Sequence, residues 1–375
     1  MNSLYIHIPF CKSRCIYCDF FSSTLLHLRE QLTAAICGEI ILRRNYLCDN
    51  KINTIYFGGG TPSLLQHDDF EKIFETINKN FLIQNNAEIT LEANPDDLNS
   101  EFFEMIKNFP VNRLSIGIQS FNNDFLKILN RRHTAQQAVD AVKNAQNNGF
   151  QNISIDLIYG LPNQSFDLWK NDLKTAFSLG VQHISAYGLT IEKSTKLWQM
   201  RENNEIKPVS DDLMLKMYEY TENEANKHDF EHYEISNYAL PGFRSKHNSA
   251  YWKMQKYLGA GPSAHSFDGI SRQWNTASVE DYIDAIKTGK TFFEKETLTT
   301  TDKFNDYIMV SLRTAEGADL EYIKQNFDAG FYNYLIKNAE KYISEKHIEI
   351  KNNKLRLTRK GVNISNLIIS ELFKL

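Results

Sequence analysis

The chain has 375 residues, 42% hydrophobic and 23% charged, with a formal net charge of -4. At roughly 150 residues per domain this is about two domains, and the composition excludes a mainly disordered chain. The charge balance offers no general basic surface, so no nucleic-acid partner is expected.

No apolar run approaches the roughly 18 residues of a membrane span, so no integral membrane segment is expected. The opening MNSLYIHIPFCKSRC has no basic stretch followed by an apolar one, which predicts no secretory leader and a cytoplasmic protein. Short β-rich segments recur at Leu4–Phe10, Asn53–Phe57, Glu88–Glu92, Arg113–Gln119, Asn152–Tyr159 and His183–Leu189. Amphipathic stretches at Leu25–Arg44, Asp68–Asn80, Thr134–Asn148 and Phe166–Leu179 have helical spacing. Strands alternating with helices predict an α/β fold with a parallel sheet and right-handed crossovers. Polar or glycine-rich words follow five of the strands: CKSRCIYC, GGGTP, EANP, QS and YGLP. Residues that follow the strands of a barrel share one rim. In a doubly wound sheet only those at the switch point converge. Five such words favour a partial (β/α)6 TIM-like barrel.

The alternation stops near residue 205. Asp211–His228 reads as a helix, and residues 230–275 read as loops and short strands rich in aromatics and glycine. From about residue 278 helical patterns dominate, interrupted by the hairpin-like KHIEIKNNKLRLTRKG. The predicted organisation is a core over 1–230, a connecting segment over 231–277 and a smaller, mainly α C-terminal domain over 278–375 that resembles a winged helix.

Five cysteines are present, and Cys11, Cys15 and Cys18 fall within eight residues in a C-x3-C-x2-C pattern. An odd count without a leader argues against a disulfide framework. Structural zinc normally takes four ligands, often as two separated pairs. A [4Fe–4S] cluster normally takes four thiolates, so three leave one iron open for a substrate or cofactor. Three unrelated thiols and a zinc site with a distant histidine are the alternatives. Cys37 and Cys48 are expected to be ordinary thiols.

YIHIPFCKSRCIYCDF is similar to the cluster loop of the radical S-adenosylmethionine (SAM) superfamily. YFGGGTPSLL, EANPDDL, RLSIGIQSF, LNRRHT and SIDLIYGLPNQ resemble the oxygen-independent coproporphyrinogen III oxidase group, and the resemblance covers nearly the whole chain. It implies a [4Fe–4S] cluster on Cys11, Cys15 and Cys18 whose open iron takes the amino and carboxylate groups of SAM. It also implies SAM contacts for Tyr5, Gly59, Gly60, Thr61 and Glu92. Tyr17, between two of the cysteines, could stack on an adenine or porphyrin face. Gln119, Arg131 and Asp156 match positions that bind SAM in the oxidase, where a second SAM is associated with the site.

Two features separate the relatives. The oxidase pattern continues to a fourth cysteine two residues past the third, where this chain has Phe20. Coproporphyrinogen oxidation is therefore not expected, and the resemblance is greatest to the heme-chaperone branch of the group. HNSAYW at 247–252 fits the H-N-x-x-Y-W pattern that this branch associates with heme. It implies that heme is bound, with His247 as candidate ligand, and passed to an acceptor protein. His265 is a second candidate ligand, and His7 is expected to be structural. Monomer and homodimer are both compatible with the sequence.

Overall fold

The computed structural model describes residues 2–375. Six parallel strands lie side by side in chain order: β1 (Ser3–Ile8), β2 (Lys51–Gly59), β3 (Leu82–Ala93), β4 (Arg113–Gln119), β5 (Ile153–Tyr159) and β6 (His183–Gly188). Along each strand successive side chains face opposite sides of the sheet. Leu4 and Ile6, Ile55 and Phe57, and Leu114 and Ile116 belong to one hydrophobic core. That core takes in the covering helices Arg29–Leu42, His67–Asn80, Ala135–Asn147 and Phe166–Ser178. The opposite face carries Tyr56, Glu92, Arg113, Ser115, Asp156, His183 and Ser185, which line an interior cavity. A strand apolar on the helix side and polar on the other builds a half-barrel around a chamber, not a filled core.

Residues 231–277 add strands at both edges. β7 (Glu231–Glu234) and β8 (Asn237–Ala239) extend the sheet beyond β6. β9 (Tyr257–Ala260) pairs parallel with β1 at the other edge. Antiparallel β10 (His265–Phe267), β11 (Ser271–Asn275) and β12 (Phe293–Thr297) follow it. The strand order runs β12-β11-β10-β9-β1-β2-β3-β4-β5-β6-β8-β7, and its ends do not pair, so the barrel stays open. The carboxylate of Glu39 anchors the added edge to the covering helices. It accepts from the Gly261 amide at 2.9 Å, the Tyr282 hydroxyl at 2.6 Å and Arg43 at 2.8 Å, besides Asn275. A carboxylate this buried is tolerated because its lone pairs are filled.

The C-terminal unit has its own hydrophobic core, including Phe304, Ile308, Leu335, Leu355 and Leu372. It is built from helices Thr300–Ser311, Leu320–Asn326, Ala329–Ser344 and Ser365–Leu372 and a small sheet. That sheet has the order β13 (Ala318–Asp319), β15 (Lys354–Leu357), β14 (Ile348–Lys351). The helices of the core are mostly where periodicity predicts them. Lys246–Trp252, in the stretch read as loops and strands, is instead a helix. It is one of several of only six or seven residues, with Ser100–Ile106, Asn123–Ile128 and Lys196–Glu202, too short for periodicity to register. Among the described residues no helix is long and apolar enough to cross a membrane.

Candidate functional site

Cys11, Cys15 and Cys18 sit on a loop that leaves β1 and returns to its own base. The Ser23 amide donates to the Pro9 carbonyl at 2.7 Å, and the Cys11 amide to the Ser23 carbonyl at 2.9 Å. All three thiols line the mouth of the barrel chamber, which has a volume of about 460 Å³. Thr61 Oγ1 donates toward Cys11 Sγ at 3.5 Å and Arg131 Nη1 toward Cys15 Sγ at 3.4 Å. Burial pushes the Cys11 and Cys18 thiols up, with repulsion from Cys15 adding to it. Donors aimed at sulfur in a buried electropositive setting suit thiolates held against a cation. Cys37 lies on the covering helix Arg29–Leu42 and Cys48 is exposed; neither lines the chamber.

The rim words converge. Gly59 has φ +113°, and a Cβ on Gly60 would stand 2.5 Å from the Pro9 carbonyl oxygen. Only glycine lets this turn press against the base of the cysteine loop. The Gly59 amide donates to Glu92 Oε2 at 3.1 Å and the Tyr56 hydroxyl to Oε1 at 2.7 Å. Gln119 ends β4 at φ +72°, where the pairing with β5 shifts register, and this bulge turns its side chain into the chamber. Arg131 spans from Cys15 to Asn94 Oδ1 at 2.6 Å and the Gly117 carbonyl at 2.5 Å. Asp97 ties three loops together, accepting from Lys12 and Ser63 at 2.9 Å each and from Arg132 at 3.4 Å.

The chamber brings together Cys11, Cys15, Cys18, Tyr17, Gly59, Gly60, Thr61, Glu92, Gln119, Arg131 and Asp156, all singled out from sequence. The Tyr17 ring also packs against a small cluster that includes Phe125 and Leu129. Tyr5 does not itself line the chamber but stacks on Tyr56 of its wall, with ring centroids 6.1 Å apart. Its hydroxyl bonds His7 Nδ1 at 3.0 Å, and both residues line a second, outer cavity towards the β9–β12 edge of the sheet. His7 is buried with its other nitrogen on the Phe21 carbonyl at 3.1 Å. Sequence reasoning passed over Tyr56, Arg113, Ser115, Ser154, His183, Ser185 and Tyr187, which complete the chamber wall. The signal was available as polar residues at every second position of β4, β5 and β6.

The chamber is electrostatically tense. Burial raises Glu92 to about 7 and Asp156 to about 6, although Tyr56 and the Gly59 amide hold down the first and Ser185 the second. Arg113 lies close enough to lower both. A cationic ligand group would find its counter-charge here.

His247, expected as a heme ligand, is buried between the two cavities and lines neither. Its Nδ1 bonds Thr54 Oγ1 at 2.8 Å and its Nε2 bonds the Tyr251 hydroxyl at 2.8 Å. The ring stacks on Tyr56 with centroids 4.9 Å apart, and the backbone amide donates to Glu88 at 2.9 Å. Both nitrogens are engaged, so in this arrangement the imidazole has no lone pair to offer a metal. Burial lowers it to about 3, which keeps it neutral. The rest of its helix faces both ways: Asn248 lines the chamber and Tyr251 the outer cavity.

The outer cavity, about 480 Å³, lies between β9–β11 and the C-terminal helix Thr300–Ser311. Tyr251, Tyr257, Phe267, Met254 and Met309 are among its walls, with His265 and the Arg272–Asp306 pair. Asp19 and Phe20, immediately after Cys18, line both cavities.

Comparison with known proteins agrees with this geometry. The Radical SAM superfamily profile matches residues 5–176 and the HemN C-terminal domain profile residues 298–364. The chain is 34% identical to the heme chaperone HemW of Lactococcus lactis over 99% of its own length and 97% of that protein's. It is 34% identical to HemW of Bacillus subtilis over 84% of each chain, and 32% identical to HemW of Haemophilus influenzae over 92% and 94%. Among solved structures it is similar to the Escherichia coli coproporphyrinogen III oxidase HemN, described as a radical SAM enzyme. The TM-score is 0.86 and the identity 23%, with 100% of this chain and 90% of that chain covered.

Proposed function

Because the chain belongs to the HemW heme-chaperone family of radical SAM proteins, we propose that it binds heme and delivers it to an acceptor protein, carrying a [4Fe–4S] cluster and SAM next to the heme. The observation that carries the cofactor half is the convergence of Cys11, Cys15 and Cys18 on one chamber mouth, with Phe20 where a fourth thiol would stand. Three buried thiols aimed at one space repel one another as thiolates, and a cationic cluster removes that penalty. When bound, such a cluster supplies an electron and an open iron for the amino and carboxylate groups of SAM.

The chain's own residues do the rest. The Gly59–Gly60 turn brings backbone within reach of an ammonium group, and Glu92 supplies a carboxylate behind it. Gln119, Arg131 and Asp156 lie farther along the same wall and complete the SAM-facing set. The aromatic outer cavity supports the heme half, since flat apolar walls suit a porphyrin. The absence of a thiol at position 20 weighs against tetrapyrrole oxidation as the principal activity.

The test is an anaerobic hemin titration of the iron-reconstituted protein followed by absorbance, with coproporphyrinogen turnover assayed in parallel. Saturable binding of one hemin per chain without decarboxylation is expected. Decarboxylation without saturable hemin binding would overturn the reading in favour of an oxidase.

A further inference from the structure

We propose that the heme binds in the outer cavity with His265 as its axial ligand, and that His247 acts indirectly by fixing the Tyr251 wall. This rests on the heme-binding reading above and goes beyond it by naming the site and the coordinating atom.

Three histidines line the two cavities: His183 in the chamber, His7 and His265 in the outer one. His183 is saturated by Ser154 Oγ at 2.7 Å and the Tyr233 hydroxyl at 2.8 Å. His7 is saturated by Tyr5 and the Phe21 carbonyl. His247 is saturated by Thr54 and Tyr251. Among the described residues His265 bonds no other group through its ring, and it is the exposed member of an otherwise buried strand, β10. Partial desolvation by the cavity walls and the nearby Arg272 lower it, so it is a neutral imidazole near pH 7, the form that ligates iron.

The backbone around His265 is fixed before any ligand arrives. Ser266 Oγ accepts from the Gly259 amide at 3.0 Å, and Glu39 holds both Gly261 and Asn275 at the two ends of the β10–β11 segment. Sharing the cavity with it are Tyr251, Tyr257 and Phe267, flat surfaces for a macrocycle, together with the thioethers of Met254 and Met309. The volume falls within the range of cofactor-sized sites, roughly 300–1,000 Å³. The chamber is the poorer host: its walls carry Glu92, Arg113, Asp156 and Arg131, which an apolar macrocycle would desolvate without compensation.

The arrangement also gives the H-N-x-x-Y-W helix a role that needs no direct ligation. Thr54, His247 and Tyr251 form a hydrogen-bonded line from β2 to the cavity wall. Removing the imidazole frees Tyr251 and loosens the wall, so a His247 variant can lose heme without His247 ever touching iron. His247 is thus a positioning residue and His265 the ligand.

The experiment compares hemin titrations of the full-length protein, His265→Ala and His265→Gly, read by absorbance and by electron paramagnetic resonance of the ferric form. Because the side chain is exposed, both variants are expected to keep the native circular dichroism. The unaltered chain should show an imidazole-ligated ferric signal. In His265→Ala that signal should vanish and affinity fall at least tenfold, and in His265→Gly free imidazole should restore it. Native binding with an unchanged signal in both variants would overturn this site and leave the heme reading standing. A native chain that binds no hemin saturably would overturn the heme reading, and this site with it.

Discussion

Lys12, in the loop between Cys11 and Cys15, reaches across 85 positions of sequence to donate a 2.9 Å hydrogen bond to Asp97. The carboxylate also receives Ser63, from the turn after the glycine loop, and Arg132, two residues from Asn130. One buried acid therefore registers the cysteine loop against the glycine turn and the loop after β4. The asymmetry of the pair decides which partner matters. The Lys12 side chain is 48% exposed and that of Asp97 only 5%. Lys12→Ala should cost under about 0.5 kcal/mol. Asp97→Ala leaves the buried Ser63 hydroxyl without its acceptor, while Arg132 keeps Asp96 at 2.8 Å, and should cost about 1–3 kcal/mol. The measurement is paired: urea unfolding of the iron-free protein, and the decay of cluster absorbance under air. Asp97→Ala should lose its cluster several-fold faster than the unaltered chain. Equal decay would mean that the loop is held by the cluster alone.

Replacing Cys11, Cys15 or Cys18 singly with serine should remove most of the reconstituted iron. The thiols lie at the chamber mouth, outside the hydrophobic core, so helical circular dichroism should stay unchanged. Cys48→Ser supplies the control, because Cys48 is exposed and distant from the chamber lining. Iron and sulfide analysis after anaerobic reconstitution decides it. A Cys48 variant that lost iron in step with Cys15→Ser would place a ligand outside the loop.

The barrel and most of the chamber were legible because strand periodicity and rim words report on the same geometry. Glycine at 59 and 60 and proline at 62 mark a turn from chemistry alone, and the cysteine spacing marks a loop that wraps one object. What was not legible depends on contacts between distant segments. No sequence rule says that β9 would pair with β1, carrying His265 to the barrel's outer edge. Nor does the HNSAYW word reveal that Thr54, 193 positions away, would occupy the His247 nitrogen that heme would need. A histidine in a motif looks available until its hydrogen-bond partners are known. Tyr5 shows the same limit: strand alternation puts it on the chamber's face of the sheet beside Tyr56, and its bond to His7 places it at the outer cavity instead.

Glu92 should make both stability and ligand binding depend on pH in opposite directions. Burial is the chief cause of its rise to about 7, against an ordinary value of 4.5. A carboxyl whose folded pKa is raised binds its proton more tightly in the folded chain. Its contribution to stability is therefore fully present below about pH 4.5 and is lost as pH rises through about 7. Between those limits the unliganded protein should gain about 1–3 kcal/mol on acidification relative to Glu92→Gln. A ligand ammonium needs the ionised form, so SAM affinity should weaken as pH falls below 7, several-fold between pH 7.5 and 6. Urea midpoints of the iron-free chain and calorimetric titration of the reconstituted protein measure the two effects. A Glu92→Gln variant with the same pH profile in both would remove Glu92 from the site.

Phe20 poses a sharper question, because it is 72% exposed and yet borders both cavities. An exposed aromatic contributes little to the unliganded fold, so Phe20→Ala should shift the unfolding midpoint by no more than about 0.5 kcal/mol. Covering the same ring with a porphyrin edge would remove apolar surface from water, about 1 kcal/mol at 25 cal/mol per Å² for roughly 40 Å². Hemin affinity in Phe20→Ala should therefore fall about fivefold while stability stays put. The two readouts separate the explanations. A loss of stability would make Phe20 a prop for the cysteine loop. Unchanged hemin affinity would place the porphyrin deeper in the outer cavity, against Phe267 and Met309 and clear of the wall shared with the chamber. A fivefold loss with native stability means that the residue following the cluster loop lies against the heme, and that the two cavities meet at Phe20.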